Sequence, residues 1–346
     1  MKMDNIQDAP PELQEMLMDY YIKYGEKKYT TDFWVDFNNL RIGELLSYGY
    51  DKFKHTVANQ YCMWLETSEF PESIKPIKSQ LDFLVSNLSE KEISNARELA
   101  LKLPVFSYRI KEFNLITLLL WQYVKNQGLE KELASLSEPS EGSPPAINFE
   151  DRLISQDIAN SLLELDTIFK YTEPGSIKTI LEIGAGYGRN AYVWLTLGGV
   201  KKYLIVDIPP ALYISQRYLS NQFPKKKVFR YRGFKSFNDI EDEYKQADLI
   251  FLMPWQIEML PARCVDLIYA IDSLNEMNAD IIKHYFKIFD NLAKKYFYMK
   301  TWKEWVGENG TIKQNDYPIP AQYKCLVNQE CRVQTDYFES LYRLPS

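Results

Sequence analysis

The chain has 346 residues, enough at roughly 100–200 residues per domain for two domains, and long enough to bury a sizeable core. Hydrophobic residues make up 46% and charged residues 25%, which excludes an extended disordered chain. With 41 Lys+Arg against 47 Asp+Glu the net charge is −6, so no global basic field gathers phosphate backbones and no nucleic-acid partner is expected. Aromatics reach 14%, material for a core or for stacking on sugars and bases; composition alone does not choose.

Four scattered cysteines (Cys62, Cys264, Cys325, Cys331) form neither a disulfide framework nor a CxxC pair. No metal site is expected. The N-terminal MKMDNIQDAPPEL is polar and acidic, unlike a signal peptide, and the most apolar run, Leu115 to Trp121, is far shorter than the roughly 20 residues of a membrane span. A cytoplasmic protein without a membrane span is the expectation.

In chain order, the first ~135 residues read as helical. Pro10-Pro11 precede Leu13, Met16, Leu17 and Tyr20 at helical spacing. Ser89 with Glu92 three residues on has the spacing of a capping box, and Ile110 to Val124 predicts a buried helix ending near Gly128. Residues 136–150, rich at their start in Ser, Pro and Glu, read as a linker between a 1–135 helical domain and a 151–346 α/β domain. After an amphipathic helix from Ile154 to Phe169, strands are predicted at Thr179–Ile183, Lys202–Val206, Asp248–Leu252, Asp266–Ile271, Tyr296–Lys300 and Tyr323–Val327, with a last segment over Tyr337–Leu344. Apolar runs alternating with helical stretches imply βαβ units and a mostly parallel, doubly wound sheet.

The segment from Thr179 to Arg189, TILEIGAGYGR, is the most informative. A strand runs into Gly184, Ala185, Gly186, Tyr187 and Gly188, a turn where a ligand can approach the backbone without meeting a Cβ. The helix that follows offers free N–H groups, at the carboxyl edge where open α/β sheets bind nucleotides. A dehydrogenase fingerprint is G-x-G-x-x-G; here the spacing is Gly184-x-Gly186-x-Gly188, preceded by Glu182. That Glu-x-Gly-x-Gly-x-Gly resembles the first motif of class I methyltransferases that use S-adenosylmethionine. Asp207, with Ile208 beside it, falls about 20 residues on, where an acid can accept both ribose hydroxyls.

A closer likeness lies in LEIGAGYGRNAYVWL (Leu181 to Leu195), YLIVDIPPALYISQRYL (Tyr203 to Leu219), FLMPWQIEMLP (Phe251 to Pro261) and IDSLNEM (Ile271 to Met277). RLISQDIANS (Arg152 to Ser161), YFYMKTWKEW (Tyr296 to Trp305), DYPIP (Asp316 to Pro320) and DYFESLYRL (Asp336 to Leu344) belong with them. In this order they resemble a family of sugar O-methyltransferases found mostly in bacterial surface-polysaccharide gene sets. The likeness covers Arg152 onward. It implies a Rossmann-like class I methyltransferase sheet, S-adenosylmethionine as cofactor, and a sugar or sugar-containing acceptor for polysaccharide biosynthesis. The loop after the third strand then flanks the adenine, making Trp255 and Gln256 candidates for stacking and hydrogen bonding. Asp272 to Glu276 face the methyl group, and Glu182 supports the amino-acid end.

A sugar hydroxyl needs a general base within hydrogen-bond reach. His55 lies in the helical part and His284 about two turns past the fourth strand, so carboxylates are better placed. Glu276 is the first choice for the base, with Asp272 orienting the acceptor or contacting the cofactor. Lys300, Trp302, Lys303 and Trp305 follow the fifth strand, where acceptors enter. The basic run Lys225–Lys227 with Arg230 and Arg232 reads as a solvated face. Covering the acceptor, or pairing two copies in a homodimer, falls to the N-terminal helices. Two other readings stand beside this one: transfer to a non-sugar metabolite or peptide, and a degenerate domain that only binds the cofactor.

Overall fold

The structure, a computed structural model, describes residues 9–24, 29, 32–56, 74–104, 113–307 and 310–345. Two short strands come first, β1 (Ile147–Phe149) and β2 (Arg152–Ile154), paired as a hairpin. The main sheet is built from β3 (Thr179–Ile183), β4 (Lys202–Val206), β5 (Val228–Phe229), β6 (Leu249–Leu252), β7 (Val265–Ile271) and β8 (Ala293–Trp302). A second hairpin, β9 (Glu304–Gly307) and β10 (Gly310–Lys313), follows, and then β11 (Lys324–Glu330) and β12 (Tyr337–Arg343) complete the main sheet.

Its order is β11-β12-β8-β7-β3-β4-β6-β5. Strands β3 to β8 pair in parallel, while β12 is antiparallel to β8 and β11 antiparallel to β12. The LIFL of β6 and the VDLIYAI of β7 are buried at every position, as parallel strands covered on both faces must be. The expected doubly wound, Rossmann-like α/β sheet is therefore present, and each predicted strand falls within a residue or a few of an observed one. Strand β5 and both hairpins went unpredicted. Strand β5 has two residues, and β9 and β10 are partly exposed polar segments without a continuous apolar run.

The N-terminal helices form as their spacing predicts. Leu13, Met16, Leu17 and Tyr20 lie buried on the helix Pro11–Tyr24. The Ser89–Glu92 capping box closes on the helix Glu90–Lys102, with Glu92 N donating to Ser89 Oγ and Ser89 N donating to Glu92 Oε2. The apolar run from Leu115 sits in the buried helix Phe113–Val124, and Gly128, at φ +83°, breaks the chain beyond it. Ile110 and Cys62 lie outside the described residues; Cys264, Cys325 and Cys331 are free thiols.

One apolar core runs from Leu13 and Tyr20 through Phe53 and Trp121 to Leu162, Trp194 and Tyr218, joining the N-terminal helices to one face of the sheet. The other face packs on the helix Ala279–Leu292, whose Ile281, Ile282, Tyr285 and Phe289 form its buried stripe. Within residues 136–150, Leu136 and Glu138 are buried, and Glu138 pairs with buried Lys54. Among the described residues no helix is long and apolar enough to cross a membrane.

Candidate active site

The glycine turn leaves β3 at Ile183. Gly184, Gly186 and Gly188 all hold positive φ, at 68°, 59° and 92°, a region open to glycine and strained for other residues. Gly184 is further fixed by its surroundings, because a Cβ there would lie 2.5 Å from the Cβ of Ser273. The turn is tied to the next strand through Asp207. Gly186 N and Ile208 N each donate to its carboxyl, at 2.7 Å. Burial pushes the Asp207 carboxyl up to about 7, against the pull of those two donors.

Glu182, one residue before the end of β3, is buried and accepts hydrogen bonds from Asn190 Nδ2 (3.1 Å) and Tyr203 Oη (2.8 Å). Burial outweighs both donors and raises its carboxyl to about 7.

Three adjoining clefts open along the carboxyl edge of the sheet. A polar cleft is lined by Glu182, Gly184, Ala185, Asp272, Lys300 and Tyr337, among others. A second, more apolar cleft shares Gly184 and Asp272 with it and adds Asp207, Ile208, Glu276, Tyr29 and Trp34. The third, a cavity of about 230 Å³ under the β9–β10 hairpin, shares Glu276 and Met277 with the second.

The structure thus brings Glu182, Gly184, Ala185, Asp207, Ile208, Asp272 and Glu276 to one connected space. Gly186 and Gly188 shape the turn without lining these clefts. Trp255 is half-buried and packs at an angle to Tyr29, ring centroids 6.3 Å apart. Gln256 is buried with its amide spent on backbone: Met253 N donates to Oε1 and Nε2 donates to Arg232 O, each at 2.8 Å. Neither side chain lines these clefts.

Asp272 follows β7 with φ +48°, its N–H donating to Lys300 O at 2.8 Å. Tyr337 Oη donates to its Oδ2 at 3.1 Å. Burial raises the Asp272 carboxyl, and Tyr337 and Lys300 oppose the rise. Glu276 is driven well above the carboxylate range by burial and by the charges of Asp272 and Asp207.

Lys300, read from sequence as an acceptor-edge lysine, is buried instead in an ion network. Its Nζ donates to Glu164 Oε1 at 2.7 Å and to Gln334, and Glu164 also takes a two-pronged contact from Arg189 (2.9 and 3.0 Å). The signal for Glu164 was present: a carboxylate set within the apolar run Leu162 to Leu165, on a helix buried along most of its length, needs a partner. Trp302 packs on Tyr337 with centroids 4.5 Å apart, and Trp305 lies 5.9 Å from Trp302. Lys303 reaches out to Glu330, both substantially exposed. His284 Nε2 is 2.8 Å from Glu258 Oε1, outside the clefts. Lys225 and Lys227 are exposed, and Arg230 and Arg232 face Glu12 and Glu243. Tyr29, Trp34 and Tyr337 escaped sequence reasoning because only the tertiary fold brings them to the glycine turn.

Among the described residues no group of three or more His, Cys, Asp or Glu is placed to hold a metal ion. No family model and no curated protein matches the chain. Solved structures it is similar to include a SAM-dependent methyltransferase from Aquifex aeolicus, 12% identical over 53% of this chain and 89% of that one, with a TM-score of 0.33. The N-methyltransferase NodS from Bradyrhizobium japonicum, in complex with S-adenosylhomocysteine, is 12% identical over 55% of this chain and 86% of that one (TM-score 0.35). Phosphoethanolamine N-methyltransferase 1 from Haemonchus contortus, with phosphoethanolamine and S-adenosylhomocysteine, is 11% identical over 56% of this chain and 44% of that one (TM-score 0.36). At such identities and TM-scores the likeness bears on neither reaction nor acceptor. The assignment of the sheet rests on its own strand order.

Proposed function

We propose that the chain is an S-adenosylmethionine-dependent O-methyltransferase acting on a sugar hydroxyl. The observation that supports this best is the coupling of the glycine turn to Asp207, a half-buried carboxyl at the strand edge that lines the more apolar cleft. The residues fit that cofactor. Asp207 accepts from the ribose hydroxyls, Tyr29 and Trp34 wall the more apolar cleft around the base, and the polar cleft offers both carboxyls and cations to a zwitterionic amino-acid end. When bound, the cofactor supplies an electrophilic methyl group for in-line attack by oxygen.

The rest falls to this chain's own groups. Glu276 touches both the cofactor cleft and the cavity beside it, so it can reach a hydroxyl entering from the cavity. A carboxyl raised by burial and by two acidic neighbours is a stronger base once ionised, and a cation bound beside it favours the ionised form. Asp272, held by Tyr337, orients groups at the junction of the clefts. Calorimetric titration tests the reading. Saturable binding of S-adenosylmethionine or S-adenosylhomocysteine at sub-millimolar concentration is expected, and absence of binding by both overturns it. A panel of sugar, peptide and small-metabolite acceptors, read as the gain of one methyl mass, then separates the acceptor classes.

A further inference from the structure

The parallel strands β3 to β8 all begin at one edge of the sheet, opposite the clefts. Strand β12 runs against β8 and ends at this amino edge, with Arg343 opposite Tyr296. Strand β11 begins there, with Lys324 opposite Arg343. Basic residues therefore gather along it from segments far apart in sequence. Taken across the sheet from β11 to β5 they include Lys324, Arg343, Lys294, Lys178, Lys201 and Lys225. With eight strands about 4.8 Å apart, the row is about 34 Å long. The Lys225–Lys227 run, a solvated face when read from sequence, is one end of it.

Some cations of this edge serve the fold. Lys202 Nζ donates to Tyr244 O, Lys178 Nζ to Gly199 O at 3.2 Å, and Arg263 Nη1 to Ala293 O at 2.7 Å. Those carbonyls lie at helix C-terminal ends, where a cation is the ordinary partner. Lys201, Lys225, Lys227, Lys294, Lys324 and Arg343 have no such duty. All six are exposed, and among the described residues their side chains make no hydrogen bond or ion pair. The carboxylates nearby are mostly spent. Asp266 accepts from Lys178 N and Thr179 N and pairs with Lys295, Asp248 accepts from Lys227 N, and Glu141 is held by Asn221 and Gln222. Glu173 adds one exposed carboxylate. A chain of net charge −6 thus carries one edge of the opposite sign. Its exposed cations repel one another, and an anionic surface removes that repulsion.

Two exposed aromatic residues stand beside the row. The helix Gln156–Tyr171 ends at this edge, ahead of β3, with Phe169 48% and Tyr171 42% exposed. Long basic side chains that reach an anionic headgroup layer, with Phe and Tyr at its boundary, are the chemistry of a peripheral membrane contact. A duplex or a sulfated glycan would engage the cations and leave both rings without a role. We propose that the amino edge of the sheet docks on an anionic lipid bilayer through these six cations, with Phe169 and Tyr171 at the headgroup boundary. Docked so, the clefts lie a strand length away, about 23 Å for the seven residues of β7, and open toward solution. Docking of this kind stands whether or not the clefts hold S-adenosylmethionine.

Co-sedimentation of the full chain with vesicles tests this, using phosphatidylcholine alone and phosphatidylcholine with about 30% phosphatidylglycerol. At about 50 mM salt the mixed vesicles are expected to bind at least about tenfold more tightly than the neutral ones, and about 300 mM salt should release the chain. Each lysine at an anionic surface is worth about fivefold in partition. Lys201→Glu with Lys225→Glu, and separately Lys294→Glu with Lys324→Glu, should therefore each weaken binding at least about twenty-fivefold, with melting temperature unchanged. Lys235→Glu with Lys313→Glu makes the same change of charge on the carboxyl side, in the segment after β5 and at the end of β10, and should alter binding by less than about threefold. Phe169→Ser with Tyr171→Ser should weaken vesicle binding severalfold. Absence of binding to the mixed vesicles, equal binding to both kinds, or equal loss in the carboxyl-side pair overturns the proposal. Binding to heparin at salt that releases the vesicles assigns the edge to a soluble polyanion and overturns the choice of lipid.

Discussion

Lys54 is fully buried, and its Nζ makes an ion pair with the buried Glu138. Three rings surround the ammonium, those of Phe53, Tyr187 and Tyr218, with centroids 5.7, 4.9 and 4.7 Å away. Glu138 in turn accepts from Ser155 Oγ at 2.6 Å, and Ser155 caps the helix Gln156–Tyr171 by accepting from Ile158 N. Removing one partner of such a pair leaves the other charge buried alone, a loss of about 3–5 kcal/mol from a typical total of about 5–15. Lys54→Met is therefore expected to lower the melting temperature by about 4–7 °C, at about 1.4 °C per kcal/mol for a chain of this size. Glu138→Gln should cost less, because the ammonium keeps its three rings and an amide oxygen to donate to. The double variant Lys54→Met, Glu138→Leu should recover much of the loss, since two apolar side chains can replace a buried pair at little cost. Urea unfolding of the parent, Lys54→Met, Glu138→Leu and the double variant gives the coupling energy directly. Were Lys54→Met to fall within about 1 kcal/mol of the parent, or the double variant to equal the sum of the singles, the buried-pair account would be wrong.

Other outcomes follow from the clefts. Asp207→Ala should abolish cofactor binding by calorimetry, whereas Glu276→Ala should spare binding and remove the methyl-mass gain in product; retained turnover would exclude Glu276 as base. Because the Asp207 carboxyl is raised to about 7, it is protonated below that pH and, in the proposed role, must ionise to accept from two ribose hydroxyls. Affinity for S-adenosylhomocysteine should accordingly rise through neutrality and level off above it, by about tenfold between about pH 6 and 8, and Asp207→Asn should flatten the profile. Gly184→Ala adds a methyl 2.5 Å from Ser273 Cβ at φ +68°, so a loss of at least about 2 kcal/mol in urea unfolding is expected, with weaker cofactor binding.

The parallel strands were legible because burial on both faces writes them as unbroken apolar runs such as LIFL and VDLIYAI. The Ser89 capping box was legible for the opposite reason, being a local device complete within four residues. The glycine turn and Asp207 were readable from spacing, as the sheet sets their separation along the chain. What escaped is what distance in sequence hides. Tyr29, Trp34, Gln334 and Tyr337 reach the clefts from opposite ends of the chain, and no local pattern marks them. Lys300 read as an acceptor-edge lysine until the fold supplied Glu164, 136 residues away.

The position of β12 has a consequence for how the molecule is made. Strand β12 sits between β8 and β11, so β11 leaves the ribosome before the strand that joins it to the sheet exists. Until residues 337–343 emerge, β8 is an open edge with unpaired backbone groups, the kind of edge that invites pairing with another chain. Tyr337 is the first residue of β12, and Gln334 just precedes it. A nascent chain that has already formed its glycine turn and Asp207 therefore lacks both the hydroxyl that steadies Asp272 and the amide that holds Lys300. A chain stalled before residue 337 carries an open strand edge in place of a finished cleft.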